Sequence, residues 1–166
     1  MVYKISRHLR DLVQEKPKGS SINTCYQCGR CTGVCPISHI DTKFNPRRII
    51  LDTLLGGNEQ LLTQDTLWKC TLCYSCEEYC PEEVHITTII QYLRNQAAKK
   101  GNIPDGLLEE LRNLEKSGVV LPISEGLLRR RDKLHLSRPK TPPLNEIVKI
   151  LQRTGLSRLT KSEEED

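Results

Sequence analysis

Aromatic side chains are scarce in this chain: one Trp, one Phe and five Tyr make up 4% of its 166 residues, and there is a single Met. A core built on stacked rings is excluded, so Leu, Ile and Val must carry the apolar packing. No apolar run approaches the roughly 20 residues needed to cross a bilayer, which excludes a transmembrane span. No apolar signal segment follows Met1, and the expected compartment is the cytoplasm. Glycine-rich dinucleotide and phosphate loops are missing, as is a nucleophile elbow, so no active site is expected in this chain. Period-2 strands are missing too. The net charge of +4 is mild, and the basic run Arg129, Arg130 and Arg131 has no interleaved aromatics, which argues against nucleic acid as a partner.

Cysteine is absent from everywhere except two short runs. Cys25, Cys28, Cys31 and Cys35 precede Pro36, and Cys70, Cys73, Cys76 and Cys80 precede Pro81. Each run reads C-x2-C-x2-C-x3-C-P, and together they use all eight cysteines. Three thiolates on a curling loop can address three irons of one cubane, while the fourth, ahead of proline, leaves the loop. In bacterial two-cluster proteins of this spacing the fourth cysteine ligates the other cluster. The expected cofactors are two [4Fe-4S] clusters, one on Cys25, Cys28, Cys31 and Cys80, the other on Cys70, Cys73, Cys76 and Cys35. Zinc is the weaker alternative, because structural zinc sites take two C-x2-C pairs separated by a longer loop. Disulfides suit an oxidising compartment, which the sequence does not suggest. With every ligand supplied by cysteine, His39 and His85, each a few residues after a run, are expected at surface or capping positions.

Helical spacing dominates the remainder. Ser6 is a candidate cap for Ile5, Leu9, Leu12 and Val13, and a polar linker follows from Pro17 to Ser21. Gly29 and Gly33 suit sharp turns in the first run. Asn45-Pro46 predicts a cap and first helical residue for Ile49, Ile50, Leu54 and Leu55, stopped at Gly56. Leu61, Leu62, Leu67 and Trp68 suggest another helix running into Cys70, with Trp68 either shielding the second cluster or packing in the core. Ile86, Ile89, Ile90, Leu93 and Ala97 mark a helix closed by Lys99, Lys100 and Gly101. Leu107, Leu108, Leu111 and Leu114 follow, then a weaker helix with Leu127, Leu128 and Leu134, and a last one with Leu144, Ile147, Val148 and Leu151. The fold class is all-α: an N-terminal helical arm over 1–20, a two-cluster domain over 21–101 and a C-terminal helical extension over 102–166. The runs repeat at an offset of 45, with little else shared between the copies. Glu77 and Glu78 place negative charge beside the second run, and that cluster is expected to be the harder to reduce.

The runs "CYQCGRCTGVCP" and "WKCTLCYSCEEYCP", with a helical insert between them, resemble the C subunits of the soluble methanogen heterodisulfide reductases, from about Ser21 to Gly101. The wider group of α-helical ferredoxin domains, with the iron-sulfur subunits of glycolate and glycerol-3-phosphate enzymes, shares the two-run layout. The resemblance implies a non-catalytic electron-transfer role. It implies two partners from the same reductase: the A subunit, which contains flavin and iron-sulfur, and the catalytic B subunit, which reduces the coenzyme M–coenzyme B heterodisulfide. A hydrogenase or a formate dehydrogenase is implied in the same assembly. The Cys-Cys-Gly motifs of the catalytic partner do not occur here. A relay subunit of another oxidoreductase, or a ferredoxin acting alone, is the alternative.

Overall fold

The computed structural model describes residues 8–56 and 59–160. Ser6 and Ile5, read as the cap and first apolar residue of the leading helix, lie outside them. The described residues are helical, without strands, and the chain divides into two compact units, 1–102 and 103–166.

In the first unit, helix α1 (His8–Gln14) is no free arm. Leu9 and Val13 are buried in the same core as Ile22, Ile50 and Leu93, because their i, i+4 spacing puts both on one face. Gln14 and Arg10 both donate to Asn23 Oδ1, at 2.7 and 3.0 Å, and Tyr92 Oη donates to Pro17 O at 2.8 Å. Both contacts tie the expected linker down; a 3-10 turn, Gly19–Thr24, leads into Cys25.

Two short helices, α2 (Arg30–Gly33) and α3 (Pro36–Ile40), surround Cys35. Helix α4 (Pro46–Leu54) starts as its sequence predicts: Asn45 Oδ1 accepts from Arg48 N at 2.9 Å and Pro46 takes the first position. Ile49 and Ile50 face the core, while Leu55 is exposed. The next stretch is broken, not one helix. Helix α5 (Glu59–Thr63) stops where Gln64 turns extended, and a 3-10 turn, Asp65–Lys69, carries Leu67 inward.

Helix α6 (Ser75–Glu78) holds Cys76, and α7 (Ile86–Lys99) is the central helix. Ile86, Ile89, Ile90, Leu93 and Ala97 are all buried on it. At about 2 kcal/mol for each large apolar side chain, this face is a principal source of the unit's stability. Gly101, at φ 81°, ends the helix in the left-handed region. Cys31, Cys35 and Cys76 belong to the same buried cluster, so the cysteine loops complete a core that contains few aromatics.

The second unit contains α8 (Asp105–Ser117), α9 (Glu125–Lys133) and α10 (Leu144–Thr154). Leu108 and Leu151 are its buried apolar anchors, and Thr160 Oγ1 donates to Glu115 Oε2 at 3.1 Å. Gly118 ends α8 at φ 75° with Pro142 O 3.5 Å from where a Cβ would stand. Leu107, Leu127, Leu134 and Leu144, read as packing residues, are exposed; three short helices have too little mutual surface to cover every leucine.

Candidate iron-sulfur centres

The two cysteine runs are folded alike. Gln27 and Gly29 have φ of 65° and 83°, and Leu72 and Tyr74, 45 residues later, have φ of 55° and 63°. Helices α2 and α6 are related by the same offset. Cys25 N donates to Ile22 O and Cys70 N to Leu67 O, and Ile22 and Leu67 are both fully buried. In each run the second cysteine is exposed and the third buried. The repeat therefore extends through the backbone, well beyond the cysteines and prolines. Gly33 is not one of its turn positions: it lies in α2, without a positive φ. Tyr74 instead holds a left-handed conformation at an expected cost of about 1 kcal/mol.

Each run also caps the long helix that follows it. Thr32 Oγ1 accepts from Arg47 N at 3.1 Å and donates to Asn45 Oδ1 at 2.9 Å, pinning α2 to the start of α4. Glu77 stands at the corresponding place, and its Oε1 accepts from Thr88 N at 2.9 Å while Oε2 meets His85 Nδ1 at 3.3 Å. Its charge thus faces the N-terminus of α7, where the helix dipole favours a carboxylate. His85 is the cap residue of α7. His39 is exposed, with Nε2 2.9 Å from Gly33 O.

The segment after each run folds back on the start of the other. Cys35, Cys70, Cys73 and Cys76 line one open hollow, walled by Ile37, Phe44 and Ile90, and Lys69, next to Cys70 in the chain, pairs with Asp41. In the mirrored position Thr24 Oγ1 donates to Glu82 O at 3.2 Å and His85 N donates to Ser21 Oγ at 3.1 Å. These bonds bring the chain after Cys80 to the residues before Cys25, and Cys80 Sγ accepts from Val84 N at 3.4 Å.

Burial pushes the Cys31 and Cys70 thiols up, against a hydrogen bond from Thr32 in one case and the Leu72 amide and Arg94 in the other. Cys76 is pushed up to about 11 by burial, opposed by the Thr87 hydroxyl. Cys73 is lowered by hydrogen bonding to Ser75. Sequence reasoning missed Arg94. It donates from Nε to Leu67 O at 2.9 Å, donates to Cys70 O, and lies 5.5 Å from the centre of the half-buried Trp68 ring. Its only sequence signal is a cation among the apolar positions of α7.

Four sulfur donors around an apolar-walled hollow fit a thiolate-bound cluster.

The model of the 4Fe-4S dicluster domain matches residues 20–84. The C subunit of the H2:CoB-CoM heterodisulfide,ferredoxin reductase of Methanothermobacter marburgensis is 35% identical over 149 residues, covering 85% of this chain and 79% of that protein. The chain belongs to the family of heterodisulfide reductase C subunits. The C subunit of a ferredoxin:CoB-CoM heterodisulfide reductase from Methanosarcina mazei is 35% identical over 144 residues, 84% of this chain and 88% of that protein. In Methanococcus maripaludis the C2 subunit of an H2/formate:CoB-CoM heterodisulfide,ferredoxin reductase is 39% identical over 118 residues, covering 71% and 63%. Membership makes this chain an iron-sulfur electron-transfer subunit of an oxidoreductase complex. The dicluster domain accounts for all eight cysteines, since both runs fall within it.

Proposed function

We propose that this chain carries two [4Fe-4S] clusters on crossed ligands and relays electrons between two partners of a heterodisulfide reductase. The donor is the flavin-containing A subunit, and the acceptor is the catalytic B subunit that reduces the coenzyme M–coenzyme B heterodisulfide. The observation that carries the crossing is the hollow that gathers Cys35 with Cys70, Cys73 and Cys76. Cys25, Cys28, Cys31 and Cys80 form the other set, supported by the Thr24–Glu82 and Ser21–His85 bonds. A fully cysteine-ligated cubane, when bound, takes up and passes on one electron and has no open position for substrate. The protein's share of the work is to hold the thiolates, exclude water with Ile37, Phe44 and Ile90, and leave Cys28 and Cys73 exposed as one accessible edge per site.

Eight thiols in one chain suit a reducing cytoplasm. Native capture under strict anaerobiosis, with identification of the co-purifying chains, tests the relay. Chains resembling the A and B subunits are expected, with a hydrogenase or a formate dehydrogenase identifying what feeds the complex. Recovery as a lone monomer would favour a free ferredoxin, and co-purification with a glycolate or glycerol-3-phosphate dehydrogenase would move the chain to another complex.

A further inference from the structure

Thr87 is fully buried at the start of α7, beside Ile86 and Ile90. A hydroxyl so placed needs a partner, and its Oγ1 lies 3.3 Å from Cys76 Sγ. Between two neutral groups either atom could donate. Once Cys76 binds iron its sulfur has no proton, and the hydroxyl must be the donor.

We propose that Thr87 is a potential-setting residue: its O–H donates to Cys76 Sγ and raises the reduction potential of the iron-sulfur site lined by Cys35, Cys70, Cys73 and Cys76. The inference rests on the two-cluster reading above. One electron from a redox partner adds one negative charge to the cluster and its thiolates, with no bond made or broken. Sulfur then becomes the better acceptor, and a hydrogen bond to it favours the reduced state. Other charges act on the same site. Arg94 beside Cys70 favours reduction, whereas Glu77 and Glu78 oppose it, the first directed to Thr88 N and His85 and the second exposed to solvent. All three are unchanged when only Thr87 is altered.

The other site has its own donor, Gln27 Nε2, 3.3 Å from Cys25 Sγ. Gln27→Leu removes it without a backbone penalty of a new kind, because Leu72 occupies the equivalent left-handed position. This variant marks which potential belongs to which site.

The test is a redox titration of the loaded full-length protein, followed by electron paramagnetic resonance. Thr87→Val, equal in shape but without the hydroxyl, is expected to weaken electron uptake about tenfold at one site, a fall of about 59 mV for a one-electron couple. Thr87→Ser should restore it, and Gln27→Leu should move the other potential. A Thr87→Val protein that keeps its iron and sulfide with both potentials unmoved would overturn the inference. So would Thr87→Val and Gln27→Leu shifting the same potential. Should Thr87→Val fail to hold its iron, wild type loaded in D2O is read by electron-nuclear double resonance. An exchangeable deuteron coupled through the Cys76 sulfur supports the hydroxyl bond, and a site without one rejects it. A wild type lacking iron and sulfide for two clusters would sink the underlying reading instead.

Discussion

Arg94→Met removes a cation that closes the second cysteine run from behind. The methionine keeps the unbranched stem and its packing but loses the hydrogen bonds to Leu67 O and Cys70 O and the contact with the Trp68 ring. A hydrogen bond from a charged donor is worth about 1.5–3 kcal/mol net, and a cation over an aromatic ring about 0.5–1 kcal/mol. Arg94 is half-buried and water can reach part of the site, so about 2 kcal/mol is the reasonable loss for the whole constellation. Both carbonyls belong to the turn that presents Cys70, and the opening of that turn is the route by which a cluster would be lost. The assay is bleaching of visible absorption in the presence of an iron chelator, without oxygen. If the bonds are absent in the open state, about 2 kcal/mol accelerates bleaching of one site about thirtyfold. Bleaching within twofold of wild type would refute the claim that Arg94 holds the loop closed.

Cys35→Ala should abolish or convert to a three-iron form the cluster of Cys70, Cys73 and Cys76, while the cluster of Cys25, Cys28 and Cys31 remains; resonance spectra with Gln27→Leu as the site marker read the outcome, and the opposite pattern would mean uncrossed wiring. Gly29→Ala should destabilise the first loop by about 1 kcal/mol, a backbone cost at φ 83° alone, since the new Cβ meets only Arg47 Cδ at 3.6 Å; a chelator bleaching rate equal to wild type would remove that assignment. In the iron-free protein the raised Cys31, Cys70 and Cys76 thiols keep their protons to higher pH when folded than when unfolded. The folded state therefore binds more protons between the ordinary thiol range and about 11, and denaturant stability should fall as pH rises through that window. A flat profile there would show that these thiols are not buried as described.

Much of the fold is legible in local spacing. Asn45-Pro46 announces α4 because capping and proline chemistry act within one turn, and α7 is announced by Ile86, Ile89, Ile90, Leu93 and Ala97, all of which are buried. The backbone repeat is not legible. Gly29 and Tyr74, or Gln27 and Leu72, share no side-chain preference, and the left-handed turns at those positions belong to the loop as a whole. Glu77 reads as a charge beside a cluster, yet its carboxylate caps α7, a contact 11 residues away that spacing alone does not reveal. Leu9 and Val13 have the amphipathic spacing of an arm awaiting a partner; the surface they cover belongs to their own unit. The spacing of the eight cysteines is plain in the sequence, whereas the hydrogen-bond donors beside Cys25 and Cys76 are not. Thr87 is visible in the sequence only as a polar residue inside an isoleucine arc, the kind of exception that asks for a hydrogen-bond partner.

The most direct test of two cubanes on eight cysteines is analysis of anaerobically purified protein for iron and acid-labile sulfide, with Mössbauer spectra of an iron-57 sample. Two [4Fe-4S] clusters predict eight irons and eight sulfides per chain, every iron in a four-sulfur environment with the averaged valence of a cubane, and no stoichiometric zinc. A colourless protein with two zinc ions and no sulfide, or iron for one cluster alone after full loading, would contradict the account.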